Sequence, residues 1–161
     1  MWDKFGEFDS VEELNRAAAG QKEEGDEEAL IALAVENGLT KEDALDYMDG
    51  VVDELASSLM AAQGKIKIES AELKPKEIME DWVQYILIRI TEDPEMQKAV
   101  RRKGKSLEGC IAALLTWSFK HQIPVDQKIM TAAGVKAGRC TLGIPGRATA
   151  KKIITDYYIG K

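Results

Sequence analysis

The run from Asp93 to Phe119, DPEMQKAVRRKGKSLEGCIAALLTWSF, constrains the fold more tightly than any other part of the chain. It spells helix, basic turn, helix. Asp93 before Pro94 is a helix start, because aspartate accepts from free N–H groups and proline at the first helical position forfeits no hydrogen bond. Gly104 ends that helix, since glycine enters the left-handed region without a Cβ clash. Ser106 starts the next, and Leu107, Cys110, Ile111, Leu114, Leu115 and Ser118 recur on one helical face. The turn between them is Arg101-Arg102-Lys103-Gly104-Lys105. The run organises a fold but writes no chemistry.

The same punctuation recurs along the chain. Ser10 with Glu13 three residues on is a capping box opening a first helix that runs to about Lys22. Gly25-Asp26 breaks and restarts the chain, and Asp26–Asn37 reads as a second helix with Leu30, Leu33 and Ala34 inward. Asn37-Gly38 stops it, Thr40 caps a third helix, and Gly50 ends that one. Val51–Ala62 reads as a fourth helix, burying Val52, Leu55, Leu59 and Met60, with Gly64 as its stop. In Gly64–Lys76, GKIKIESAELKPK, Ile66 and Ile68 alternate with lysines, which reads as a linker that admits a short edge strand. Glu77–Thr91 is apolar nearly all round, the mark of a central helix. Pro124-Val125-Asp126 opens a short helix with Ile129, Met130 and Ala133 inward. Val135–Gly146 reads as a loop, and Arg147–Tyr158 is the last helix. The expectation is an all-α protein of about nine helices and at most one short strand. It divides into an acidic helical part (1–64), a linker (65–76) and a basic helical domain (77–161).

Charge separates these parts. Residues 1–64 hold 17 Asp/Glu against 4 Lys/Arg, a net of −13; residues 65–161 hold 18 Lys/Arg against 11 Asp/Glu, a net of +7. Such asymmetry points to nucleic acid or to proteins that bind it, and equally to two halves packing on each other. No apolar run approaches the ~20 residues needed to span a bilayer. Met1-Trp2-Asp3-Lys4-Phe5 lacks the basic start and apolar core of a secretion signal. We therefore expect a cytoplasmic protein without membrane association, its Cys110 and Cys140 reduced.

No catalytic or metal site is expected. The single histidine, His121, closes an amphipathic helix, where a cation complements the helix dipole. Cys110, Cys140 and His121 are one short of a tetrahedral zinc set, and Cys110 lies on an apolar helix face. Asp46, Asp49 and Asp53 beside Gly50 lack the alternating spacing of a calcium loop. Gly138–Gly146, GRCTLGIPG, lacks the Gly-Lys-Ser/Thr ending of a phosphate loop, so no cofactor is expected. Two charged surfaces remain. Glu23, Glu24, Asp26, Glu27, Glu28, Asp43, Asp46, Asp49, Asp53 and Glu54 can present a phosphate-like field to a basic channel on a protein partner. Lys98, Arg101, Arg102, Lys103 and Lys105, with Lys151 and Lys152 near Arg147, can contact nucleic-acid phosphates. Trp2, Phe5 and Phe8 are spaced to stack on one side, either onto the first helix or as an interface between copies.

The segment Glu92-Asp93-Pro94, then Lys105-Ser106-Leu107-Glu108-Gly109-Cys110 running into an apolar helix, resembles the PcfK-like family of mobile-element proteins. Ala132 and Asp156-Tyr157-Tyr158 fit more loosely. Phe5-Gly6-Glu7-Phe8-Asp9-Ser10 and Glu36-Asn37-Gly38-Leu39 also look like proteins of gut Firmicutes mobile elements. Part of the family is described as anti-CRISPR, inhibiting the type II RNA-guided nuclease. The resemblance implies a non-enzymatic inhibitor whose partner is that nuclease. The alternative it leaves is a nucleic-acid-binding accessory protein of a conjugative or integrative element. The acidic half lies outside the family pattern.

Overall fold

Local capping sets most of the helix starts. Ser10, Asp26, Thr40, Ser57, Asp93, Ser106 and Asp126 each turn a side-chain oxygen onto a free backbone N–H at the head of a helix. The computed structural model describes residues 2–160. In order they form α1 (Val11–Glu23), α2 (Glu27–Glu36), α3 (Lys41–Met48), α4 (Ser58–Leu73), α5 (Ile78–Glu92), α6 (Pro94–Arg101) and α7 (Leu107–Lys120). Then follow β1 (Ile123–Pro124), α8 (Gln127–Ala132), β2 (Thr141–Leu142) and α9 (Arg147–Ile159). The fold is all-α, with one two-stranded antiparallel ribbon that pairs Ile123 with Leu142.

Two buried clusters share α4. The first gathers Leu14, Ala18, Leu30, Leu33, Ala34, Leu39, Ala44, Tyr47 and Leu55 from the N-terminal helices and ends on Ala61. Phe5 and Phe8 pack against it, so these two aromatics anchor the N-terminal segment onto its own helices. The second begins on the next residue, Ala62, and takes Ile66 with the inner faces of α5, α6, α7 and α9. Apolar burial on two sides of one helix is what makes α4 the spine.

That arrangement corrects the reading of residues 51–76. The fourth helix does not start at Val51. Residues 51–55 are a bent segment with Val51 and Val52 exposed, and the helix begins at Ser58. Nor does Gly64 end it. The helix runs through Gly64 to Leu73, so the expected linker is mostly helix, with Lys65, Ile66 and Glu69 buried. Gly64 is there for contact: a Cβ on it would lie 2.2 Å from the Asn37 carbonyl oxygen, and one on Gly38 would lie 2.1 Å from the Gly64 oxygen. The end of α2 and the middle of α4 touch backbone to backbone, which only glycine permits. The break in the chain falls instead at Lys74–Glu77, where both of those residues have positive φ.

Smaller corrections follow the same logic of burial. Leu115, Ile129 and Ala133 were expected inward and are exposed; on α8 only Met130 is buried. In α5 the all-round apolar pattern conceals an exposed edge at Ile78, Met79 and Ile88. The expected loop from Val135 to Gly146 contains β2. Glu13 completes its cap on Asp9 N–H rather than on Ser10. Among the described residues no helix is long and apolar enough to cross a membrane.

Candidate functional site

The basic turn after α6 is largely internal. Arg101 is 2% exposed; its Nη2 donates to Asn37 Oδ1 over 3.1 Å, and its guanidinium lies 5.4 Å from the Trp2 ring centroid. Lys65, 1% exposed, reaches up from α4 into the turn. Its ammonium donates to the Arg102 carbonyl over 2.8 Å and to the Lys105 carbonyl, and it pairs with Glu7 at 2.9 Å. Glu69, one helical turn on and 3% exposed, accepts from Leu107 N–H at the head of α7 and lies 3.8 Å from Lys65. Lys105 donates to the Tyr157 carbonyl over 2.8 Å. Asp9 accepts from Lys103 N–H over 3.1 Å.

Burial dominates the electrostatics of this clamp. It lowers the affinity of Lys65 and Arg101 for their protons, against the raising pull of Glu7 and Glu69. It pushes the Glu69 carboxyl up to about 6, against the opposing hydrogen bond from Leu107 and the Lys65 charge. Of the residues expected to contact phosphates, Arg101 and Lys105 are thus committed to holding the fold. Lys98, Arg102, Lys103, Lys151 and Lys152 are exposed, with Lys152 3.3 Å from Asp156. Sequence alone misses Lys65 and Glu69, because a lysine and a glutamate four apart on a helix ordinarily mark a solvated face.

The acidic residues behave differently: the fold gathers them. α1 runs into the turn that begins α2, and α3 returns beside it. Lys22 marks the junction, its ammonium donating to the Tyr47 carbonyl over 2.8 Å and lying 4.6 Å over the Tyr47 ring. Asn15 on α1 bonds both the N–H and the carbonyl of Ala56, which lays the 49–56 segment along α1. Lys22 and Asn15 thus tie the end of α3 and the segment after it to α1, and Glu23, Glu24, Asp26, Glu27, Glu28, Asp46, Asp49, Asp53 and Glu54 are all exposed. The C-termini of α1 and α3 carry negative dipole poles, and the N-terminus of α2, in the turn of Asp26, a positive one. Val51, 70% exposed, lies between Asp49 and Asp53 in the chain. Asp43 is not part of this pole: it closes a complete capping box with Thr40 at the other end of α3.

Cys110 and His121 sit in opposite surroundings. Cys110 is buried, and burial pushes its thiol up to about 12, far from a reactive thiolate. His121 is exposed and stacks on Trp117 at 4.3 Å, its Nδ1 2.8 Å from the Trp117 carbonyl. Both cysteines are free thiols. Among the described residues no three metal-ligating side chains converge.

No family model matches this chain, and no match emerges among the curated proteins or the solved structures.

Proposed function

We propose that this protein is a non-enzymatic binder that sets its acidic pole into a basic, nucleic-acid-binding channel of another protein. The observation that carries the reading is the nine exposed carboxylates on two stretches of chain that the Lys22 and Asn15 bonds tie to one another, with Val51 exposed between Asp49 and Asp53. A solvated helix face spreads its charges. Here two stretches joined through Lys22 carry one sign of side-chain charge, with an exposed apolar side chain in the second. Such a surface accelerates encounter with a positive groove and gives the contact an apolar anchor. The resemblance of the Glu92–Cys110 segment to PcfK-like proteins makes a type II RNA-guided nuclease the first target to try, since its heteroduplex lies in a positively charged channel.

The test is retention of the purified nuclease, with and without its guide, on the immobilised protein at 50 mM and at 500 mM salt. We expect capture at low salt that weakens as salt rises. The variant Glu27→Lys, Glu28→Lys, Asp49→Lys, Asp53→Lys is expected to lose at least about a hundredfold in affinity, from several charge pairs reversed together. Absence of capture at 50 mM removes this target. Capture unaffected by the four reversals removes the acidic pole as the contact.

A further inference from the structure

The structure assigns a second, independent interaction surface: a basic arm between α7 and α9 that we propose holds single-stranded nucleic acid. Between Lys120 and Lys152 the sequence carries seven Lys/Arg and a single carboxylate, Asp126. That carboxylate is occupied as the cap of α8, accepting from Lys128 N–H over 2.8 Å. The local field is therefore positive, in a protein whose net charge is −6.

The arm stands off the body. From 121 to 146 only Met130 and Pro145 are buried. Its base is tied to the end of α7: Gln122 donates to the Ser118 carbonyl over 2.7 Å and accepts from the Thr141 hydroxyl over 2.8 Å. Val125 N–H donates to the Cys140 carbonyl over 2.9 Å and closes the ribbon. Beyond that closure α8 and the 133–140 segment present Lys128, Lys136 and Arg139 to solvent, none with an ion pair among the described residues. Arg147 continues the positive surface onto α9.

At the arm's base Phe119 is 75% exposed. It lines an apolar groove with Leu115 and Ile144. Cations along an open arm beside an exposed aromatic ring match what an unpaired strand requires: charge for its phosphates and a flat face for its bases. A paired duplex has no free base to offer that ring. The acidic pole of a second copy would satisfy the charge alone, and such a head-to-tail contact would give rings or open filaments, but it offers the exposed ring no flat partner.

Fluorescence anisotropy with labelled 20-nucleotide unstructured DNA and RNA strands, and with the matching duplexes, tests the assignment. We expect strand binding at 50 mM salt that weakens about fiftyfold at 200 mM, the response of about four neutralised phosphates on a single strand. The triple variant Lys128→Ala, Lys136→Ala, Arg139→Ala should lower the slope of log affinity against log salt by about 2. Phe119→Ala should weaken strand binding about tenfold with the slope unchanged, as loss of one stacked base does. Circular dichroism of both variants should match the parent, because these side chains lie outside the buried clusters. No binding at 50 mM, duplexes bound as tightly as strands, or a slope unchanged in the triple variant would each overturn the proposal. Oligomers at 50 mM salt that the triple variant dissolves would also overturn it, by giving the arm to the acidic pole of another copy. None of these results depends on a nuclease target, so the acidic-pole reading stands or falls separately.

Discussion

Lys65 and Glu69 show how a single residue pair can set the character of a surface some distance away. A buried ammonium is costly unless every proton finds an acceptor, and Lys65 finds Glu7 and two carbonyls of the 101–105 turn. The turn is thereby pinned by its backbone, and Arg101 and Lys105 face inward in consequence. Glu69 provides a direct check. Burial raises its carboxyl from an ordinary 4.5 to about 6. The folded state therefore holds the proton more tightly than the unfolded chain does. The stabilisation from that proton is complete below pH 4.5 and is lost as pH rises through 6, amounting to about 2 kcal/mol. Glu69→Gln keeps an oxygen for Leu107 N–H and does not titrate. The stability of the parent relative to this variant, from urea melts, should therefore fall by about 2 kcal/mol between pH 4.5 and pH 7. A difference that stays flat across that range would show that Glu69 ionises as freely in the folded protein as outside it.

At the scale of elements, α4 is where reading from sequence and observed structure part most sharply. Gly64 looks like a helix stop and is a helix interior residue pressed against α2. On an exposed helix, Gly→Ala stabilises by roughly 1 kcal/mol. Here the new methyl would meet the Asn37 carbonyl at 2.2 Å, and neither backbone can yield without moving its helix. Gly64→Ala should therefore destabilise by about 2–3 kcal/mol, the range of overpacked cores, read as a lowered urea midpoint with the m-value retained. A stabilised variant would mean that the two helices do not touch. The helix starts were legible because caps are local: Ser10, Thr40, Asp93 and Ser106 each act on residues two or three away. Of the ten carboxylates named from sequence, nine are exposed and Asp43 is spent on the cap of α3. What could not be read was anything set by distant partners. Lys65 and Glu69 pass for solvent-facing residues until Glu7, Arg102 and Leu107 are placed around them. The arm's strands are two residues each, too short for alternation to register. Its basic surface passed unnoticed because the clustered Arg101–Lys105 run looked stronger than cations spread from Lys120 to Arg147.

For the whole molecule, charge is segregated along the chain while the core is not. Residues 1–64 carry a net −13 and residues 65–161 a net +7. Between them, the structure joins the two parts by features that neither part can form alone. Ala61 belongs to one buried cluster and Ala62 to the other. Arg101 of α6 bonds Asn37 after α2, and Glu7 from the N-terminal segment neutralises Lys65. A boundary after Gly64, natural from composition, would cut α4 through its middle. A fragment of residues 65–161 would lose Leu59 and Ala62 from its core, the first seven residues of α4, and Glu7 as partner of Lys65. Removing buried apolar side chains costs about 2–5 kcal/mol each, a large share of what a small domain has in total. We therefore expect this fragment to show no cooperative thermal transition. We expect the full chain to unfold in one step, with coincident midpoints from far-ultraviolet dichroism and from Trp82 fluorescence isolated by Trp2→Phe and Trp117→Phe. Separate midpoints, or a fragment that melts cooperatively on its own, would show that α4 serves the C-terminal cluster only and that the acidic unit is an appendage. Joint unfolding has a functional corollary. The acidic pole and the basic arm are then held in fixed relation by one spine, so a partner docked on either surface meets the other at a set orientation.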